Sequence, residues 1–185
     1  MPVNATNNQL GWKAPNFNLL STNEEHYSLD SLAGINGTVI AFICNHCPYV
    51  IKIIKNLVLE AEELTKIDVS TIAIMSNDVK SYPEDSFDNM KIFAKKYSFG
   101  FHYLYDSTQA VAKKYQAICT PDIFGFNKDL SLQYRGRIDS GVISNTNKDI
   151  KRELFYAMKG IANTNKGPKQ QFNSFGCSIK WINNE

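Results

Sequence analysis

Cys44 and Cys47 stand two residues apart in the stretch VIAFICNHCPYVIKIIKNLV, with Asn45 and His46 between them. Two thiols at this spacing can serve three ends. They can form a redox couple, in which one thiolate attacks a disulfide and the second reaches the mixed disulfide to release the product. They can supply half of a zinc site. They can also be two small apolar side chains of a core. For zinc the sequence assembles no full ligand set. Cys44, His46 and Cys47 crowd one another, and no second Cys-x-x-Cys follows. Cys119 and Cys177 complete four ligands only by converging on the pair.

The elements around the pair favour the redox use. Thr38 to Ile43 is an unbroken β-branched and aromatic run, the pattern of a strand buried on both faces. After Pro48 the period changes. Val50, Ile54, Leu57, Ala61 and Leu64 recur at helical spacing, and Lys52, Lys55, Glu62, Glu63 and Lys66 take the other face. Proline suits the first turn of a helix, where the N–H has no partner to lose. Val69 to Met75 reads as the next buried strand. The three segments form a βαβ unit, with parallel strands and a right-handed crossover. Cys44 thus closes a strand and Cys47 opens a helix. Chemistry in open α/β sheets gathers at the carboxyl ends of strands. Free N–H groups at a helix start stabilise a thiolate, and His46 adds a positive charge when protonated. Each unit of lowered pKa corresponds to about 1.4 kcal/mol in favour of the anion.

The rest of the chain supplies a frame. At 185 residues it suits one domain with an ample core. Its 43% hydrophobic and 21% charged residues are ordinary for a globular protein. A net charge of +2, from scattered basic residues, argues against nucleic acid or an anionic membrane as partner. Four unevenly spaced cysteines make no disulfide framework. Residues 1–16 have no apolar core of a signal peptide, and no run nears the roughly 20 apolar residues of a membrane span. A cytoplasmic protein with reduced thiols is the expectation.

Short strands are predicted at FNLL and HYSL, a helix from Pro83 helped by Glu84 and Asp85, and a strand at FHYLYD. Asp106 can cap a short helix reaching Tyr115. DIFGFN and SLQYRGRI read as an antiparallel hairpin turning at Asn127-Lys128-Asp129. Thr146 and Asp149 resemble a capping box that starts a last helix through Ile150, Leu154, Ala157 and Ile161. This order predicts a three-layer α/β sandwich, a central mixed sheet flanked by helices. No Gly-rich phosphate loop follows any strand, which disfavours a nucleotide fold.

Cys-x-x-Cys after the first strand of a βαβ unit, with Thr120-Pro121 before the hairpin, resembles the thioredoxin superfamily. Gly11, Ala14-Pro15, Phe17 and the Ser-Leu of a short helix narrow the likeness to its redoxin branch. That branch holds the peroxiredoxins, or AhpC/TSA-like proteins, and the TlpA/ResA-type thiol-disulfide proteins. The resemblance implies a single thioredoxin-like domain over residues 1–185, with a redoxin-type extension over 1–37 and a tail over 161–185. It implies a cis-proline at Pro121, and a substrate backbone positioned by Thr120 and Pro121. It implies a thiol-disulfide oxidoreductase in which Cys44, exposed at the strand end, attacks. His46 and the helix end stabilise it, and the more shielded Cys47 resolves. Substrates would be protein or small-molecule disulfides, with a thiol reductant as partner and no cofactor beyond the redox disulfide.

Two alternatives stay open. In a thiol peroxidase, Cys47-Pro48 would match the peroxidatic Cys-Pro step, and Cys44 would close the disulfide. The peroxiredoxin threonine is replaced by Cys44, however, and Arg135 and Arg137 come too late to match their arginine. The other alternative is a non-catalytic zinc- or partner-binding module. Cys119 reads as a small buried hydrophobe and Cys177 as structural.

Overall fold

The computed structural model describes residues 2–4, 10–142 and 150–182. Its elements run β1 (Pro2–Asn4), β2 (Asn18–Ser21), β3 (His26–Ser28), α1 (Leu29–Leu32), β4 (Gly37–Phe42), α2 (Pro48–Thr65), β5 (Val69–Met75), α3 (Phe87–Lys96), β6 (His102–Tyr105) and α4 (Ala110–Tyr115). They continue with β7 (Cys119–Thr120), β8 (Asp122–Asn127), β9 (Leu132–Gly136), α5 (Glu153–Thr164) and β10 (Phe175–Ser178).

Seven strands make the main sheet in the order β3-β2-β6-β5-β4-β8-β9. β4, β5 and β6 are parallel neighbours, and β8 runs antiparallel beside β4. The sheet is therefore mixed, as the sequence predicts. Alternation along the strands sends residues to two cores. Val39, Ala41, Ile43, Ala73, Met75 and Tyr103 join the apolar stripes of α2, α3 and α5. Ile40, Phe42, Ile72, Ile74, Leu104 and Phe124 meet α4 and the amino-terminal segment. Trp12 stands edge-on to Tyr115, Phe124 and Phe126, so the extension is part of this second core. Among the described residues no helix is long and apolar enough to cross a membrane.

Two starts differ from the sequence reading. Pro83–Asp85 forms a separate 3-10 turn, and α3 begins after it at Phe87, capped by Ser86, whose Oγ accepts from Asn89 N at 3.4 Å. Asp85 does not serve α3 at all; its carboxylate folds inward and is wholly buried. α5 begins at Glu153, so Ile150 lies outside it and is 47% exposed. Thr146 and Asp149 fall outside the described residues. What fixes α5 is a pair of two-pronged ion pairs, Arg137 with Glu153 and Arg152 with Glu60 of α2.

The tail is the largest departure. It contributes β10, the middle strand of a second, three-stranded sheet ordered β1-β10-β7. In that sheet Cys177 stands opposite Thr120 and Ser178 opposite Cys119.

Candidate active site

β4 delivers Cys44 to the site. Ile43 continues the ladder to Ile74 by one hydrogen bond of 2.9 Å, and the chain then leaves the sheet. Pro48 shapes the other end. A residue before proline is pushed out of the helical region, and Cys47 takes an extended conformation as the N-cap of α2. Its carbonyl accepts the first helical bond, from Ile51 N at 2.9 Å. Both thiols are buried, Cys44 at 1% and Cys47 at 0% exposure. The expectation of an exposed Cys44 is thus corrected, because its sulfur is enclosed against Thr120, Cys47 and Asp85.

The Thr120–Pro121 bond is cis. Thr120 touches both sulfurs. Its Oγ1 lies 3.4 Å from Cys44 Sγ, and its carbonyl accepts from the Cys47 thiol at 3.1 Å. Thr120 is itself buried, and its backbone edge is already paired with β10. A second chain can pair there only where β10 withdraws.

The two thiols differ in acidity. Cys47 is lowered to about 4 by the hydrogen bond from Cys44, against its burial, and then by the backbone N–H groups of Val50 and Cys177 and by Thr120. Cys44 is pushed well up by its bond to Cys47, by burial and by the Asp85 charge. The bond between the thiols could be turned either way, but the other causes could not. Val50 N–H belongs to the start of α2, where donors lack partners, and a carboxylate stands beside Cys44 alone. The Thr120 carbonyl favours a protonated Cys47, yet one acceptor is outweighed by several donors. These surroundings favour the charge on Cys47 over Cys44, where the sequence reading places it.

Asp85 organises the loop between the cysteines. One oxygen accepts from Asn45 N at 2.7 Å and His46 N at 3.4 Å, the other from Asn77 Nδ2 and His46 Nδ1, each at 2.8 Å. His46 is thereby turned to Asp85, with its ring stacked on Tyr82 at 5.5 Å. Asn45 accepts from the Tyr103 hydroxyl at 3.0 Å. Asp85, Asn45, Asn77 and Tyr103 were missed by sequence reasoning; only the turn at Pro83 before Asp85 marked the place.

Ligand atoms of Cys44, His46 and Asp85 lie within 4.8 Å of one another, a set suited to a soft divalent ion. Four N–H donors already occupy both Asp85 oxygens. A metal there would have to displace His46 from its bond. Arg135, the guanidinium considered for peroxide, is buried and bound to Asp122 at 2.8 Å.

A mixed sheet between helices, a Cys-x-x-Cys at a strand–helix junction and a cis-proline against it define a thioredoxin-like protein. The chain belongs to the AhpC/TSA family, whose model matches residues 10–135. It is similar throughout to an uncharacterized conserved protein from Geobacillus kaustophilus, at 39% identity and TM-score 0.93, covering 98% of this chain and 97% of that one. A hypothetical protein from Sinorhizobium meliloti 1021 shares 32% identity at TM-score 0.91, covering 97% and 98%. The thioredoxin domain of a thiol-disulfide oxidoreductase from Bacteroides vulgatus shares the fold, at 11% identity and TM-score 0.65, covering 85% and 100%. None of the curated proteins matches the chain.

Proposed function

We propose that the protein is a thiol-disulfide oxidoreductase whose redox couple is Cys44 and Cys47. The observation that carries this is the Cys44–Cys47 pair at the start of α2, both sulfurs in contact with Thr120 beside the cis-proline. Cys47 attacks one sulfur of a substrate disulfide, and the electron pair of that bond leaves on the other sulfur, which takes a proton. Cys44 then attacks Cys47 in the mixed disulfide, expels the second substrate sulfur and gives it the proton of its own thiol. The product is a Cys44–Cys47 disulfide, and an external thiol reduces it to restart the cycle. Asp85 and Asn45 hold the loop, Thr120 and Pro121 the opposite wall. A cycle restarted by an external thiol suits the cytoplasm as the site of action.

A second reading is a thiol peroxidase. It is favoured by the Cys47 charge next to Pro48 and by burial that admits small oxidants more readily than protein chains. Here Cys47 attacks one peroxide oxygen, becomes a sulfenic acid and is closed by Cys44 with loss of water.

Single-turnover assays on Cys44→Ser and Cys47→Ser test both readings, with oxidised glutathione and with hydrogen peroxide. On a Cys177→Ser background, Cys44→Ser should release about one equivalent of glutathione thiol, and Cys47→Ser none. Release from Cys47→Ser alone would return the attack to Cys44. No release from either, with peroxide consumed and a sulfenic acid on Cys47, would make the protein a peroxidase.

A further inference from the structure

Cys177 was expected to be structural, yet its surroundings are those of a reacting group. It is the one cysteine of the four that is not buried. It stands opposite Thr120 across the β7–β10 ladder, and Thr120 is the residue that touches both Cys44 and Cys47. Its backbone N–H and its thiol lie close enough to the Cys47 sulfur to shift the acidity of both thiols. Gly176 makes the approach possible. A Cβ at that position would lie 2.0 Å from the Thr120 carbonyl oxygen, so only a bare backbone brings the next residue this close. Cys47 is thus flanked by two thiols, one buried and one partly exposed, while the couple itself has no exposed sulfur.

We propose that Cys177 is a third redox thiol, which exchanges with the buried couple and passes reducing equivalents to it from an external dithiol. The inference rests on Cys44 and Cys47 being the couple. Starting from their disulfide, the Cys177 thiolate attacks Cys47. The Cys44–Cys47 bond breaks, its electron pair goes to Cys44, and Cys44 takes the proton that Cys177 gave up. The Cys47–Cys177 disulfide has the same oxidation level as the one it replaces. A small or protein dithiol then attacks the accessible Cys177 sulfur, and Cys47 leaves with the electron pair. Of the three it is the best leaving group, since the most acidic thiol leaves fastest. The second thiol of the reductant displaces Cys177, and the reductant departs as a disulfide after giving up two electrons.

The acidity of Cys177 fits this order. In the reduced protein it is held up to about 11 by burial and by its bond to Cys47. Oxidation of Cys47 removes the anion beside it, so Cys177 becomes a better nucleophile when there is a disulfide to attack.

The test is reduction of the oxidised native protein by dithiothreitol, quenched by alkylation and mapped by mass spectrometry. Wild type should show Cys44–Cys47 together with some Cys47–Cys177. Cys44→Ser should oxidise to Cys47–Cys177. Cys177→Ser should form Cys44–Cys47 alone and be reduced about tenfold or more slowly, because an intramolecular attack has been lost. Cys119→Ser should keep the wild-type rate. In urea, Cys177→Ser and wild type should be reduced alike, which separates the relay from damage to the fold. Native reduction of Cys177→Ser at the wild-type rate would overturn the relay and leave the couple standing. A wild-type map with no Cys44–Cys47 linkage would instead overturn the couple.

Discussion

At the scale of single residues, the site is built from charges placed on different sides of two sulfurs. Asp85 faces Cys44 and raises it, and the start of α2 faces Cys47 and lowers it. The sequence made the junction of strand and helix legible, since Pro48 and the change of period mark it. It could not show which sulfur the free N–H groups meet, because that depends on a bend of a few residues. His46 shows the same limit. A histidine between two cysteines suggests a cation for the thiolate, but a carboxylate far along the chain holds it instead. Thiolate absorbance of the reduced protein should therefore titrate near 4 for Cys47, and His46→Ala should leave that step in place. Linkage gives a matching stability profile. Cys47 has a folded pKa below its unfolded one, so its contribution is complete above the unfolded value near 8.5 and is lost as pH falls toward 4. Cys44 has the opposite shift, and its contribution is lost as pH rises beyond that same unfolded value. Urea unfolding of the reduced protein across pH should rise and then fall, and Cys47→Ser should remove the rising limb. A flat profile would show that neither thiol is perturbed.

Among the elements, those with local signals are legible and those held by distant partners are not. β5 spans Val69–Met75, as its apolar run predicts. The β8–β9 hairpin follows its turn residues, and Asp106 does cap α4, accepting from Val111 N at 3.2 Å and Ala112 N at 2.9 Å. The turn at Pro83–Asp85 misleads because acidic residues before a helix usually serve that helix. Here Asn45, His46 and Asn77 outbid it. The hairpin hides a further feature. Arg135 of β9 and Asp122 of β8 are both buried and paired at 2.8 Å, with the guanidinium over the Phe124 ring at 4.5 Å. Burial pushes Asp122 up and Arg135 holds it down. Asp122→Asn would remove the carboxylate that holds the buried Arg135 guanidinium at 2.8 Å. Loss of about 3–5 kcal/mol is expected in urea unfolding. A loss under about 1 kcal/mol would mean that water or a second acceptor replaces the carboxylate.

Taken whole, the molecule closes its own site with its last described segment. Beyond β10, Ile179 is buried, with its N–H bonded to the Ile118 carbonyl at 3.0 Å. Lys180 N donates to Asn77 Oδ1 at 2.9 Å, its carbonyl accepts from Asp78 N at 2.8 Å, and its ammonium lies 5.6 Å over the Tyr82 ring that stacks on His46. The strap therefore joins the cis-proline edge, the thiols and the Asp85 turn. Nothing local in FGCSIKW announces this. A strand that pairs with two residues far back in the chain has no periodicity of its own to read, and the tail looked like a polar end with one apolar patch. The sheet, its layers and the cysteine junction were legible because each rests on patterning over many residues. Closure has a functional consequence that can be measured. Gly176→Ala wedges a methyl group against the Thr120 carbonyl, where only 2.0 Å is free. β7 runs through Pro121 directly into β8 of the main sheet, so β10 must give way. Overpacking of this kind costs about 1–3 kcal/mol. The ladders of the seven-stranded sheet lie outside the wedge, so the fold should persist. Iodoacetamide should then alkylate Cys47 about tenfold faster or more, as the strap spends more time open. Reduction of insulin should rise with it, since a protein chain gains the edge that β10 gives up. Faster alkylation with insulin reduction unchanged would mean that the exposed edge does not receive a substrate chain. If the alkylation rate did not change, the strap would not be what shields the couple.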